Sequence, residues 1–343
     1  MNEIRAISWV NDGLILIDQT KLPHQEINLE IETVDQLVDA IKKLAVRGAP
    51  ALGAAGAWGI VVAMRQAEKE NWDEQKRKEQ FLRIRDARPT AVNLAWGVDK
   101  VLPFVSGGVN DVLAQANKIA AEDEAGNRQM GKHGSTWIES KVKNRPLRAL
   151  THCNTGSLAT TTWGTALGVI REMNSRGILK HVIADETRPL LQGGRLTAWE
   201  LSHDNIDHYV IADGAATSII ARGEVDVALI GADRIAANGD TANKIGSFAV
   251  ALACKYAGIP FVVVAPESTI DLSTINGNDI EIEYRDENEI LSLNGQRISP
   301  SKSKGLNPAF DVTPAELISA LVTEKGVYEI SNGVTPAQNL AKA

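Results

Sequence analysis

The chain has 343 residues, of which 44% are hydrophobic and 23% charged, and it carries a formal net charge of −7. This composition is typical of a folded globular protein and excludes collagen-like, fibrous and disordered classes. Because single cores rarely exceed about 250–300 residues, the length favours two domains. The acidic balance argues against a broad basic face, so we expect no nucleic-acid partner.

The cysteine content and the first residues indicate a compartment. Cys153 and Cys254 are too few for a disulfide scaffold, which favours the reducing cytoplasm. Glu3 and Asp12 interrupt the segment in which a signal peptide has its apolar stretch. The apolar runs are shorter than the about 18 residues that a membrane span needs, so we expect no membrane partner.

The first part of the chain predicts a β-hairpin followed by helices. Asp12-Gly13 separates two apolar runs, which is typical of a hairpin turn, and Thr33 is suited to cap a helix over residues 34–46. A second helix over residues 47–69 is rich in small residues, which favour burial. Further helices are predicted over residues 71–86, 87–102 and 111–134. We interpret residues 1–140 as a smaller, mostly helical domain bearing the hairpin.

After Pro146 the pattern changes to short apolar strands that alternate with helices. The predicted strands cover residues 147–153, 181–186, 208–213, 226–233 and 259–266. Helices are predicted between them, among them residues 157–173 and 244–258. Strands that are apolar throughout form a parallel sheet covered on both faces. The sequence therefore predicts an α/β fold, with a parallel-sheet domain over residues 141–343.

Common cofactor motifs are missing from the sequence. The 28 glycines include no G-x-G pair, so the dinucleotide fingerprint is absent. The stretch GNRQMGKH approaches a P-loop, but His133 stands where Ser or Thr would hold magnesium, and a helical segment precedes it. His203 and His208 lie beside acidic residues without a typical zinc spacing, and no G-x-S-x-G elbow occurs. We predict no cofactor and no metal.

Polar residues follow the ends of the predicted strands, at the edge where open α/β sheets bind ligands. They are Cys153, Asp185, Asp213 and Asp233. Cys153 precedes a predicted helix, whose positive end would favour the thiolate; the alternative is an ordinary buried cysteine, as we expect for Cys254. A partly desolvated Asp233 would suit a general acid, with a loop or capping aspartate as the alternative.

Several residues beside predicted helix starts could bind a phosphorylated ligand. The candidates are Arg47, Gly48, Arg88, Asn243 and Lys244, the last two at the predicted start of a helix. Either arginine could equally be an ordinary surface residue. Gln192 could hydrogen-bond a hydroxyl, or could simply lie in a loop.

Long blocks of sequence resemble the 5-methylthioribose-1-phosphate isomerase family. They are VRGAPALGAAGAWG, ARPTAVNLAWGVD, LTHCNTGSLAT, ADETRPLLQGGRLTAWEL, GADRIAANGDTANKIG and NPAFDVTPAELI, in order from about Val46 to Lys325. Two departures are KIGSF, where the family has KIGTY, and the tail after Val327. The resemblance implies a Rossmann-like fold without a dinucleotide, a homodimer, and kinship with regulatory subunits of translation initiation factor 2B.

By this resemblance the catalytic pair is Cys153 and Asp233. The implied substrate contacts are Arg47, Gly48, Ala49, Arg88, Gln192, Asn243 and Lys244. The implied reaction converts 5-methylthioribose 1-phosphate, a phosphorylated pentose, into 5-methylthioribulose 1-phosphate in methionine salvage. In it, Asp233 donates a proton and Cys153 acts as base or hydrogen relay.

Other functions remain open at this point. A sibling isomerase could act on 5-deoxyribose 1-phosphate or ribose 1,5-bisphosphate, although the bisphosphate would need a second cationic cluster. A non-catalytic regulatory subunit could sense sugar phosphates, but it would have no need of both Cys153 and Asp233. The hairpin, residues 5–17, could contribute to a dimer interface.

Overall fold

The computed structural model describes residues 3–89, 92–143 and 145–340. In these residues the strands are β1 (Ile7–Val10), β2 (Gly13–Ile17), β3 (Asn28–Ile31), β4 (Leu147–Thr151), β5 (Leu179–Asp185), β6 (His208–Ile211), β7 (Val227–Ile230), β8 (Arg234–Ala236), β9 (Thr241–Lys244), β10 (Phe261–Val264), β11 (Ile270–Asp271), β12 (Ser292–Leu293), β13 (Gln296–Arg297), β14 (Phe310–Thr313), β15 (Ala320–Val322) and β16 (Val327–Tyr328). The α-helices are α1 (Val34–Lys42), α2 (Ala49–Glu70), α3 (Glu74–Arg85), α4 (Val92–Val101), α5 (Val109–Lys141), α6 (Ala166–Ser175), α7 (Ala198–His203), α8 (Ala215–Ala221), α9 (Ser247–Ala257), α10 (Asn288–Leu291) and α11 (Pro336–Leu340).

The chain divides into two compact units. The first contains the residues up to Arg128 together with Thr155–Gly164, and the second contains Gln129–Asn154 and the chain from Thr165 onwards. The boundary that the sequence predicts, between residues 140 and 141, falls at the end of α5, and we keep it as a proposal. In the parts of the chain that the structure describes, no helix is both long and apolar enough to cross a bilayer.

The N-terminal hairpin is confirmed, with its turn one residue earlier than predicted. Val10 pairs with Gly13, so Asn11 and Asp12 form the turn, and both have positive φ angles, 49° and 64°. Positive φ at both central residues is the requirement of a type I′ turn, which matches the twist of a hairpin. A third strand, β3, pairs with β2 and completes an antiparallel sheet that the sequence did not predict.

The helices of the first unit form where the sequence places them. Thr33 caps α1 in a capping box with Gln36. Helix α2 is largely buried, as its small residues predict, and it approaches α4 very closely. A Cβ on Gly97 would lie 1.9 Å from the carbonyl oxygen of Gly53, so a larger residue at position 97 would separate the helices. Residues 90 and 91 of the predicted helix over 87–102 lie outside the described residues.

The second unit contains the predicted parallel sheet. Its seven strands have the order β16-β15-β10-β7-β4-β5-β6, all parallel except the edge strand β16. The five predicted strands are the adjacent β10, β7, β4, β5 and β6, so that part of the prediction is confirmed. Neighbouring residues of β7, such as Ala228 and Leu229, pack into separate apolar clusters on the two faces. This explains why the strands are apolar throughout.

Two predicted helices are shorter than expected. The predicted helix over residues 157–173 starts only at Ala166, because residues 157–165 form a short 3-10 turn and a loop. The predicted helix over residues 244–258 starts at Ser247. Asn243 and Lys244 instead end strand β9, in a small sheet of order β11-β8-β9-β14 that the sequence did not predict. The near P-loop segment, residues 126–133, lies inside α5, in agreement with a polar helix.

Candidate active site

Cys153 lies just beyond the end of β4 in an unusual backbone conformation. Its φ is +63°, in the left-handed region that favours glycine, and its side chain is buried. Its N–H donates to the Thr187 hydroxyl at 2.8 Å, and its carbonyl oxygen accepts from the Thr197 hydroxyl at 2.7 Å. Two buried hydroxyls therefore hold an unfavourable conformation, which is typical of functional sites.

The environment of Cys153 differs from the prediction in one respect. We expected the positive end of a helix directly after it, yet the next α-helix starts at Ala166. Residues 154–165 therefore separate Cys153 from the start of that helix along the chain. Sequence reasoning missed the two threonines, because a hydroxyl more than thirty residues away leaves no local pattern.

Both threonines are fixed by further hydrogen bonds. Thr187 donates its N–H to Asp213 at 2.7 Å and its hydroxyl to the carbonyl oxygen of Asp185 at 3.1 Å. Thr197 accepts from the side-chain amide of Asn154 at 3.2 Å, and the same amide donates to Glu200 at 2.8 Å. The Cys153 main chain is thus held by residues from two separate segments of the second unit.

Gln192 lies between the two threonines in sequence, directly before a π-helical segment over Gly193–Thr197. Its side chain is buried, and its Oε1 has no hydrogen-bond partner in the described part of the chain. Buried carbonyl oxygens are nearly always paired, so this atom is suited to accept from a ligand hydroxyl. Gly193 is required here, since a Cβ would lie 1.7 Å from the carbonyl oxygen of Asp185.

His152 forms a buried pair with Asp185, directly before Cys153. Its Nδ1 lies 2.8 Å from Oδ2 of Asp185, and its Nε2 lies 2.8 Å from the carbonyl oxygen of Ile245. Burial disfavours the charged ring, but the hydrogen bond and negative charge of Asp185 raise the pKa of His152. Sequence reasoning named Asp185 and missed His152, whose position beside Cys153 at a strand end was the available signal.

The same pair and Asp213 together offer three possible metal ligands. Possible ligand atoms of His152, Asp185 and Asp213 lie within 4.8 Å of one another. However, both ring nitrogens of His152 have partners, and both oxygens of Asp213 accept main-chain N–H groups of Thr187 and Arg188. This donor set does not fit a metal ion, because it leaves too few free ligand atoms.

Asp233, Asn243 and Lys244 lie on or beside the small sheet of the second unit. Asp233 is exposed in the loop between β7 and β8, so the partial desolvation that we expected is not found. Asn243 is buried and donates to the Ser247 hydroxyl at 2.8 Å. Lys244 donates to the carbonyl oxygen of Ala309 at 2.9 Å, with its ammonium 4.3 Å from the centre of the Phe310 ring.

The remaining predicted contacts belong to the first unit. Gly48, with φ +91°, packs directly on the main chain of Ala159, where a Cβ would lie 2.2 Å from its carbonyl oxygen. Helix α2 begins at Ala49, which confirms the predicted helix start in this segment. No side chain caps this end of the helix. Arg47 is half-buried at the same corner, and Arg88 is half-buried after α3.

The segment after Cys153, residues 155–164, is held within the first unit by Asp123. One carboxyl oxygen of Asp123 accepts from the N–H of Thr161 at 2.9 Å and from its hydroxyl at 2.6 Å. Burial raises the pKa of Asp123 to about 6. The sequence offered no signal for this carboxyl, which lies within a long polar helix.

Comparison with known proteins gives related chains along nearly the whole length. The Initiation factor 2 subunit family matches residues 45–330. A methylthioribose-1-phosphate isomerase of Nitrosococcus oceani is 47% identical, with 95% of this chain and 94% of that protein covered. A probable bifunctional methylthioribose-1-phosphate isomerase/methylthioribulose-1-phosphate dehydratase of Nocardia farcinica is 47% identical, with 98% of this chain and 61% of that longer protein covered.

Two solved structures share the fold over nearly the whole chain. The crystal structure of 5-methylthioribose 1-phosphate isomerase from Pyrococcus horikoshii OT3 has a TM-score of 0.87 and 37% identity, covering 98% of this chain and 94% of that one. The structure of translation initiation factor eIF-2B, subunit delta, from A. fulgidus has a TM-score of 0.86 and 43% identity, covering 98% and 99%. The chain therefore belongs to the initiation factor 2 subunit family, in which the curated relatives described above carry methylthioribose-1-phosphate isomerase names.

Proposed function

We propose that this protein converts 5-methylthioribose 1-phosphate into 5-methylthioribulose 1-phosphate in methionine salvage. The observation that carries the proposal is Cys153, buried at the carboxyl edge of a parallel sheet and held at positive φ by two buried hydroxyls. A purely structural cysteine needs no such restraint. The isomerase relatives, aligned over 95% of this chain, supply the substrate.

The chemistry requires an acid and a base, because phosphate on the anomeric oxygen prevents ordinary ring opening to an aldehyde. In the proposed route Asp233 protonates the ring oxygen as the bond from it to C1 breaks. Cys153 then removes the proton from C2, which leaves an enol phosphate, and returns a proton to C1. The C2 hydroxyl proton goes back to Asp233, so that a ketone forms and both groups return to their starting states.

A direct hydride shift from C2 to C1 would give the same product. The reaction in D₂O separates the two routes, because a proton relay through Cys153 exchanges with solvent and introduces deuterium at C1. Product without deuterium at C1 would favour the hydride route and would leave Cys153 without the role of base. No step in either route uses a cofactor.

The proposed substrate contacts rest on different observations. The N-terminus of α2 at Gly48 and Ala49 offers uncapped main-chain N–H groups to the phosphate, and Arg47 lies beside them. Gln192 offers a buried acceptor to a sugar hydroxyl. Arg88, Asn243 and Lys244 complete the set that the family resemblance implies.

A coupled assay with three sugars tests the proposal. We expect turnover of 5-methylthioribose 1-phosphate above that of 5-deoxyribose 1-phosphate, and none of ribose 1,5-bisphosphate. A matched pair of variants, Cys153→Ser and Cys254→Ala, controls for loss of a thiol. Sugar binding without turnover of any of the three would instead favour a regulatory subunit, the function suggested by the similar eIF-2B delta structure.

We also propose that the protein is a cytoplasmic homodimer. Helix α9 exposes Phe248, Leu252 and Tyr256 at 37%, 47% and 83%, four residues apart and therefore on one face. An exposed apolar stripe of this kind is typical of a surface that pairs with another copy. Leu252→Glu should shift the mass measured by analytical ultracentrifugation from dimer to monomer, whereas Lys118→Glu, at an exposed position on α5, should not.

A further inference from the structure

His152 joins two segments that both carry proposed site residues. Its own segment continues directly into Cys153, and its Nε2 lies 2.8 Å from the carbonyl oxygen of Ile245, the residue after Lys244. The ring also packs on Gly246, where a Cβ would lie 2.7 Å from its Cε1. One side chain therefore contacts the segment of Asn243 and Lys244 at two consecutive residues.

The partners of the ring fix its orientation. A carbonyl oxygen only accepts, so Nε2 must carry a hydrogen. On the other side, Nδ1 and Oδ2 of Asp185 share one proton across 2.8 Å. Whichever of these two atoms holds that proton, Nε2–H still points at Ile245. Because His152 and Asp185 are each only 1% exposed, water does not offer the ring another partner.

The segment beyond Ile245 is fixed by a second carboxyl. Asp311 accepts from the N–H of Gly246 at 2.7 Å and from that of Phe248 at 3.1 Å. The N–H of Ile245 donates to Ala309 at 3.1 Å. The carbonyl of Ile245 links this β9–α9 turn to the strand that leads to Cys153, through His152.

We propose that His152 is a positioning residue for the isomerase reaction. Through Ile245 it sets the placement of the Asn243–Lys244 segment relative to the Cys153 thiol. This inference rests on the proposed function, since the placement matters only if both segments act on one substrate. A displacement of about 1 Å in such a site can lower the rate about 10²-fold.

A matched pair of amide variants tests the tether. In His152→Gln the amide nitrogen reaches about as far as Nε2 and can still donate to Ile245. In His152→Asn the shorter amide takes the place of Nδ1, so the bond to Ile245 is lost. We expect kcat to fall about 10–100-fold in His152→Asn and less than about fivefold in His152→Gln, with KM changing less than kcat.

Asp226→Asn is the stability control. Asp226 binds Arg148, which lies at the start of β4, the end opposite to Cys153. Its Oδ2 accepts from the main-chain N–H of Arg148 at 2.7 Å. The variant should lower the melting temperature and leave kcat unchanged. If the kcat of the two His152 variants falls only in proportion to their loss of melting temperature, or if His152→Asn keeps the wild-type kcat, the proposal is wrong.

Two further measurements keep the test decisive. If His152→Asn does not fold, Asp185→Asn replaces it: the new amide donates to Nδ1, Nε2 keeps its hydrogen, and kcat should stay within about tenfold of wild type. A larger loss would mean that the pair acts through its charge. A slowly exchanging Nε2–H signal in the NMR spectrum tests the tether even if no sugar is turned over. Absence of that signal overturns the tether, whereas absence of turnover overturns only the proposed function.

Discussion

Cys153 and Cys254 are both buried, yet they lie in regions built in opposite ways. Cys254 is fully buried within α9 among apolar side chains, and burial raises the pKa of its thiol to about 12. Cys153 lies at a strand end with positive φ, and both of its main-chain polar groups are bonded to buried hydroxyls. Burial therefore does not distinguish the two cysteines, whereas their backbone conformations and polar partners do.

The largest expected effect is on kcat in Cys153→Ser. The serine keeps the size of the side chain but is a poor base, so kcat should fall toward the upper end of the about 10²–10⁴-fold range of positioned acid–base groups. Cys254→Ala should keep the wild-type kcat and lose about 1 kcal/mol of unfolding free energy, from its smaller buried side chain. An equal loss of kcat in the two variants would contradict the proposal that Cys153 is catalytic and Cys254 is structural.

Asp233→Asn should have the next largest effect, a fall in kcat of about 10²–10³-fold. The amide keeps the shape of the side chain and removes the proton donor, so KM should change much less. We place the effect below that of Cys153 because Asp233 is exposed in the structure. Asp207→Asn, at another exposed carboxyl, is the control; a near wild-type kcat in Asp233→Asn would exclude Asp233 from the mechanism.

Much of the fold and part of the site could be predicted from the sequence. Strands β7 and β10 are buried and apolar on both faces, and shorter apolar runs also mark β4, β5 and β6, so composition identifies all five. Strand β9, with the sequence TANK, is short and polar, and it is defined by pairing with β14 far along the chain. Its register leaves no periodic signal, so the sequence predicts the start of a helix at Asn243 and Lys244 instead.

The sequence wrongly predicts a helix over residues 157–165, and the cause is local. Thr160, Thr161 and Thr162 are β-branched, and their hydroxyls bond main-chain or carboxyl oxygens instead of leaving the main chain free to form a helix. Gly164 has φ +87° and packs on Gly156, where a Cβ would lie 2.4 Å from the Gly156 Cα. The spacing of apolar residues predicts a continuous helix here, but the side-chain hydrogen bonds stabilise a loop instead.

Alkylation compares the two thiols directly. Because the thiolate is the nucleophile and the Cys254 pKa is about 12, Cys254 should react at least about 10²-fold more slowly than Cys153 with iodoacetamide at pH 7.5. Its rate should rise about tenfold per pH unit between pH 8 and 10. Inactivation should follow labelling of Cys153, and saturating substrate should slow both; peptide mapping that finds Cys254 labelled first would contradict the assignment.

Removal of the cations that we propose to bind the phosphate should raise KM. A charge-assisted contact to an anion contributes about 1.5–3 kcal/mol, so Lys244→Ala and Arg88→Ala should each raise KM about 10–100-fold. Part of the Lys244 effect will reflect loss of its bond to Ala309, which fixes the end of β9. Exposed Lys255 and Arg83 are the matched controls, and unchanged KM in both test variants would place the phosphate elsewhere.

The smallest expected effect concerns Asp123. Burial raises its pKa, as burial raises the pKa of Cys254, but the raised value of Asp123 lies closer to neutral pH. The pKa of Asp123 rises from 3.8 to about 6 in the folded protein. Its contribution to stability is therefore complete below pH 3.8 and is lost as the pH rises through about 6. Because the side chain is only partly buried, the loss between pH 5 and 8 should reach about 1 kcal/mol at most.

Asp123→Asn removes this titration while keeping an oxygen for the N–H and hydroxyl of Thr161. The same oxygen position also accepts from the side-chain amide of Asn127 at 3.1 Å, and the amide oxygen of the new residue can keep this bond as well. The variant should therefore fold, and its unfolding free energy in urea should fall less than that of the wild type between pH 5 and 8. Glu122→Gln, at an exposed position on the same helix, should keep the wild-type pH dependence. If Asp123→Asn and the wild type have the same pH dependence, burial of this carboxyl does not set the stability of the segment that follows Cys153.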